Sequence, residues 1–269
     1  QEALSHEMAA SGSLFVRQLA DQGIERDLPR LVDFDPDKIT RVREKVDAAT
    51  EILQDVIDFV PTIKELATRI AKDEFGGSIF RNGVDKLKLD TNSPVTNLHH
   101  FSGYLTLAAK GQFIEELVTD SLSRGEKQVF AIEHLGASIL AWKMAQPGEL
   151  RTDGNGGRYF DTAPNLGDVL KRYLHEAMKV KATNALGNQI IVDLSEELGG
   201  FIRGLSDQID EADLTEMRVD GADMIHAALA RMGLSSGELT GRTSSGGLGV
   251  LGEDNGRFYL YEFEKGGAK

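Results

Sequence analysis

A chain of 269 residues with 41% hydrophobic content can bury one large core or two smaller ones, and it holds no apolar run approaching the roughly 18–20 residues needed to cross a bilayer. Its formal charge of −13, from 43 acidic against 30 basic side chains, argues against a general nucleic-acid coat; basic residues gathered in one cleft would still allow local contact. Zero cysteines exclude disulfides and thiolate metal sites and suit a reducing compartment, so a cytoplasmic protein without membrane partners is expected.

In chain order, residues 5–33 read as a short helix and a strand belonging to a preceding domain. Asp35-Pro36 then opens a long helix, with Asp35 as N-cap and Pro36 at the first helical position. Ile39, Val42, Val46, Ala49, Leu53, Val56 and Val60 recur in steps of three and four, a heptad-like seam that serves either packing within the domain or a helix-mediated oligomer. The helix is predicted to stop at Pro61, with residues 62–72 helical again and 75–90 extended around Gly76-Gly77 and Asn82-Gly83. Residues 96–109 resume as helix.

The most informative stretch is 99–142, HHFSGYLTLAAKGQFIEELVTDSLSRGEKQVFAIEHLGASILAW. A helix over 110–123 puts Phe113, Ile114, Leu117, Val118 and Leu122 on one face, and Gly125 supplies the left-handed position that ends it. Residues 127–133 (KQVFAIE) read as a short strand whose continuously apolar centre, VFAI, fits a strand covered on both faces in a parallel sheet. Gly136 marks a tight strand-to-helix turn at which a ligand can approach the backbone, beside Glu133 and His134.

Residues 137–145 form the next helix and 146–163 a loop. Asp153-Gly154-Asn155-Gly156-Gly157 has the composition of a calcium loop but lacks the terminal Glu and the spaced ligands, so it reads as a surface loop. Residues 166–180 and 190–209 read as two amphipathic helices. The second carries the stripe Ile190, Leu194, Leu198, Ile202 and is interrupted at Gly199-Gly200. Residues 207–216 read as an acidic, solvated linker, 222–232 as a helix ended by Gly233, and 237–240 as a short strand. Near the end, Asp254-Asn255-Gly256 signals a hairpin turn before a strand over 257–263, with Phe258, Leu260 and Glu262 pointing one way and Tyr259, Tyr261 and Phe263 the other. The glycines of 246–252 (GGLGVLG) lack the Lys and helix start of a phosphate loop.

Three segments, about 95 residues in all, together resemble the strawberry notch group of superfamily 2 helicases. The first is HEMAASGSLFVRQLADQGIERDLPRL, with Met8, Gly12, Arg17, Leu19 and Gly23 in matching places. The second is His99, His100 and Phe101 leading through Ala108-Ala109-Lys110, Arg124-Gly125 and VFAI to Gly136; the third is ADMIHAALARMGLSSGELTGRT, closing on Thr240-Gly241-Arg242. The resemblance implies an α/β fold, a partial RecA-like parallel sheet with large helical insertions, helix-rich overall. Residues 1–34 would end the first RecA-like domain, 35–95 would form a helical linker or accessory lobe, and 96–269 a partial second domain with a helical insertion at about 146–220.

No GxxxxGK[ST] loop occurs, so the chain is not expected to hydrolyse ATP alone and carries no cofactor of its own; ATP and magnesium are implied for a parent protein. The implied partners are DNA and the remainder of the helicase chain. Lys110, His99, His100, Gly136, Thr240, Gly241 and Arg242 are the candidate nucleic-acid contacts, and Arg17 a candidate inter-domain residue. His99 and His100 point about 100° apart in a helix and cannot share a metal, so no metal site is expected. No nucleophile–base or paired-carboxylate arrangement can be assembled from motifs. Two other readings stay open: a virion-type scaffold or assembly protein, and a catalytically dead adaptor derived from such a helicase.

Overall fold

The computed structural model describes residues 34–75, 88–89, 93–126, 130, 136–183, 189–234 and 250–261. Seven helices fall among the described residues: α1 (Pro36–Phe75), α2 (Ser93–Gly111), α3 (Ile114–Ser123), α4 (Ala137–Met144), α5 (Leu166–Ala177), α6 (Ser195–Glu211) and α7 (Ala222–Arg231). Two small antiparallel sheets accompany them. One is ordered β1-β4-β5, from Lys88–Leu89, Lys179–Thr183 and Gln189–Asp193; the other is ordered β2-β3-β7-β6, from Arg151–Thr152, Arg158–Phe160, Arg257–Tyr261 and Val250–Asp254. The molecule is helix-rich with sheet, as expected at that level. The strands expected around 129–132 and 237–240 lie outside the described residues, apart from Phe130.

Helix α1 begins as its sequence dictates: the Asp35 carboxylate accepts the Asp37 amide at 3.0 Å and the Asp35 carbonyl accepts the Ile39 amide at 3.0 Å. It does not stop at Pro61. The helix runs for 40 residues, because the apolar stripe continues beyond the proline through Ile63, Leu66, Ala67 and Ile70, and burying that face outweighs the single lost backbone bond. The heptad seam faces inward in its middle. Ala49 and Leu53 are buried, and Val42, Val46 and Val56 pack against the main cluster, whereas Ile39 at the start is 45% exposed.

That main cluster joins α1 to α2 (Phe101, Tyr104, Ala108), α5 (Leu166, Val169, Leu170, Tyr173, Leu174), α6 (Leu205, Ile209) and the segment carrying Leu214, Met217 and Val219. The expected accessory lobe and the expected insertion therefore share one core. A second cluster seats the far end of α1 on Val192, Leu194 and Leu198.

Several expectations are corrected. Residues 190–193 are strand, not the start of a helix: Ile190, Ile191 and Val192 are β-branched and pair with Ala182, Lys181 and Val180 of β4. Helix α6 starts at Ser195, whose amide and hydroxyl both bond the Asp193 carboxylate, and it passes through Gly199-Gly200 without interruption. The acidic stretch 207–216 is the end of α6 plus a turn that buries Leu214, not a solvated linker. The loop 146–163 contains the β2–β3 hairpin, closed by Asp153, whose carboxylate accepts the amides of Asn155 (2.9 Å) and Gly157 (2.8 Å). The helix expected over 110–123 is broken between Gly111 and Ile114, and Leu122 is 48% exposed rather than on the buried face.

Local stop signals hold. Gly125 and Gly233 both take φ of +72°, and in each case the amide of the following residue reaches back five positions, Glu126 to Ser121 and Leu234 to Leu229, in a Schellman closure. Asn255 (φ +51°) and Gly256 (φ +72°) make the β6–β7 turn.

Candidate nucleic-acid interface

Helix α2 carries three of the sequence-designated residues. His100 and Lys110 are both exposed, ten residues apart on that helix, which sets them roughly 15 Å apart along its axis. His99 lies on the same helix. These residues line one element but do not converge on one point.

Gly136 is placed quite differently from the expectation of an open turn. It caps α4 with φ of +69° and is buried, and a Cβ there would lie 2.2 Å from the carbonyl oxygen of Val219. The close approach that the glycine permits is made by the chain itself, where 217–219 pairs with 164–166 through Leu166 N–H to Met217 O and Val219 N–H to Pro164 O, both 2.9 Å. Arg17, Thr240, Gly241 and Arg242 lie outside the described residues, as do Glu133 and His134.

Directly after Lys110, Gly111 and Gln112 line a cleft of about 560 Å³ that sequence reasoning did not anticipate. Its other walls include Lys38, Glu115, Glu216, Met224, Phe258 and a clasp of charged residues. Glu253 of β6 lies 3.6 Å from Arg218 and 3.2 Å from Arg231; Arg231 also donates to Glu115 of α3 at 2.9 Å, and Arg218 to Asp220 at 3.0 Å. The Arg218 guanidinium sits 4.9 Å from the centre of the Phe258 ring. Three carboxylates thus hold two guanidiniums, so the clasp leaves no surplus positive charge for a phosphate. Its effect is to tie α3, α7 and the C-terminal hairpin together.

A second charged centre is buried at its core, with Glu149 at its exposed rim. Lys143 of α4, 2% exposed, places its Nζ 3.0 Å from each carboxylate oxygen of Asp168, 3.2 Å from the Thr162 hydroxyl and 3.2 Å from Glu149. Asp168 is also the return partner of the α5 capping box, accepting the Asn165 amide at 3.0 Å while Asn165 accepts the Asp168 amide. Burial pushes the Asp168 carboxyl up, and the Lys143 ammonium opposes this. Asn165-Leu166-Gly167-Asp168 carries the capping-box pattern locally but was not singled out in the sequence, and nothing near it in sequence points to the lysine, 25 residues upstream.

Among the described residues no group of three or more His, Asp or Glu side chains could hold a metal ion, and no helix is long and apolar enough to cross a membrane. Comparison with family models, with curated proteins and with solved structures finds no match to this chain.

Proposed function

We propose that this chain is part of an ATP-dependent helicase or translocase of the strawberry notch type, contributing the end of the first RecA-like domain and part of the second, and that it serves nucleic-acid contact and inter-domain coupling without hydrolysing ATP by itself. One observation carries the reading. Helices α3 and α7, which immediately precede the VFAI segment and the Glu238-Leu239-Thr240-Gly241-Arg242 segment, pack side by side through Ile114, Val118, Met224, Ile225, Ala228 and Leu229. Phe130 and Leu234 belong to the same cluster. Two helices packed together, each leading through a Schellman glycine into a segment of β-prone sequence, fit neighbouring units of a parallel α/β sheet.

In this reading ATP and magnesium bind to other parts of the parent protein, and Lys110, one of the two histidines and Thr240-Gly241-Arg242 line the nucleic-acid side, with Arg17 between domains; Gly136, buried against the Val219 backbone, is not part of that surface. The assembly reading needed the C-terminal hairpin to pair with a neighbouring chain. Strand β7 pairs with β3 of its own sheet, while β6, the other strand of that hairpin, is an edge of the sheet, so the assembly reading stays open beside the helicase reading.

Fluorescence anisotropy with a labelled single strand of about 20 nucleotides at about 50 mM salt tests it. Arg242→Ala and Lys110→Ala are each expected to weaken binding about three- to tenfold and to reduce the salt dependence. Absence of binding at that salt, or identical affinity for both variants and the parent sequence, overturns the reading.

A further inference from the structure

Strand β5 ends its sheet. In the order β1-β4-β5 it pairs with β4 alone among the described residues, and its five residues, Gln189-Ile190-Ile191-Val192-Asp193, include neither the proline nor the lysine that commonly blunts an edge. Val192 is buried in the cluster that seats the sheet on α1, whereas Ile191, at the centre of the strand, is 61% exposed.

The ladder fixes which backbone groups face the open edge. The Leu194 amide donates to the Met178 carbonyl at 2.8 Å, and bonded pairs recur at every second residue of an antiparallel ladder, so Val192 with Val180 and Ile190 with Ala182 are bonded pairs as well. Gln189, Ile191 and Asp193 therefore turn their amides and carbonyls away from β4. A row of backbone donors and acceptors centred on an exposed isoleucine is a template for another strand.

We infer that β5 pairs with β5 of a second copy of this chain, antiparallel about a two-fold axis at Ile191. In that register Ile191 meets Ile191, Ile190 meets Val192 and Gln189 meets Asp193, with about six backbone bonds between the copies. The rows of the joined sheet then stay chemically uniform. On the α1 side, Val180 and Val192 of one copy run on to Ile190 and Ala182 of the other. On the outer side the row reads Lys181, Ile191, Ile191, Lys181, and each lysine stem covers the neighbouring isoleucine while its ammonium stays in water. Asp193 lies beside Lys179 of its own chain and opposite a glutamine of the other, so no like charges meet across the axis. A slip of one residue would exchange the two faces, and this strand supplies its own complement, which selects a second copy as the occupant. Five paired residues bury less than the roughly 800 Å² per partner of a standard interface, so the dimer is weak. The charge of −13 on each copy opposes it most at low salt.

Sedimentation equilibrium of the whole chain, from about 5 to about 200 µM, tests it. A reversible monomer–dimer equilibrium that tightens as salt is raised is expected. Ile191→Lys should weaken it about tenfold or more by setting two ammoniums against each other across the axis, and Ile191→Val should keep it. Neither change should move the melting temperature of the dilute protein, because the side chain is exposed. The chain has no cysteine, so Ile191→Cys adds a single thiol, and a short thiol-to-thiol cross-linker should trap a dimer; Glu51→Cys, on the exposed side of α1, should give none. A chain that stays monomeric over the whole range, or a dimer that Ile191→Lys leaves equally tight, overturns the inference.

Discussion

The backbone at Gly136 and the carbonyl oxygen of Val219 are in such close contact that any side chain at residue 136 would intrude on it: a Cβ there would lie 2.2 Å from that oxygen. The contact positions the N-terminus of α4 against the 217–220 segment, which itself holds Arg218 and Asp220 of the cleft. Gly136→Ala should therefore destabilise the fold by about 3 kcal/mol or more, combining left-handed strain with a backbone collision that no rotamer relieves. Gly148→Ala is the control. It has φ of +80° but nothing within 4 Å, so only about 1–2 kcal/mol of conformational strain is expected. Urea denaturation midpoints of the two variants check the difference.

Lys143→Met should cost about 3–5 kcal/mol, because it strands the buried Asp168 carboxylate without its cation. The loss should shrink on acidification, since a carboxyl already pushed up by burial protonates more readily once the ammonium is gone. Chemical denaturation of the parent and the variant at neutral and at mildly acidic pH measures both effects.

Stability should fall as the pH drops below the ordinary carboxylate range. The hydroxyl and amide of Ser195 hold Asp193 below its usual value, the Thr215 hydroxyl and then Lys45 do so for Asp213, and the amides of Gly157 and Asn155 for Asp153. Groups lowered by folding contribute above about pH 4 and lose that contribution as the pH falls through their folded values. Asp168 works the other way, its share being greatest at low pH and declining as the pH rises toward its folded value. Asp193→Asn should flatten the acid limb of a melting-temperature profile; an unchanged limb would remove Asp193 from this account.

Pro61→Ala should raise stability by about 1–3 kcal/mol. The proline has no amide hydrogen for the Ile57 carbonyl, and the helix continues on both sides of it. Thermal unfolding reads the gain directly.

The features legible in the sequence were those set by near neighbours. Asp35-Pro36 at a helix start, Gly125 and Gly233 at helix ends, and Asn255-Gly256 in a hairpin each act within a turn of chain, and each is found where its chemistry places it. What failed depended on partners remote in sequence. The i,i+4 spacing of Ile190, Leu194, Leu198 and Ile202 imitates one helix, yet it spans a strand end and a helix start, because β4 offers Ile190 a pairing edge. The cleft was invisible for the same reason: Arg218, Arg231 and Glu253 come from a turn, a helix end and a hairpin, and no local pattern joins them. Gly136 was expected to leave room for a ligand at an open turn; it is buried, and the backbone that comes near is that of Val219, a partner remote in sequence.

The unbroken length of α1 has a mechanical consequence. Its first half is gripped by the helical core and its second half by the β4–β5 sheet, with one continuous rod between the two grips. A push on the sheet end is therefore delivered to the helical end as rigid displacement instead of being absorbed in a joint, and Pro61, about two-thirds of the way along the rod, is the point where such a lever would first bend.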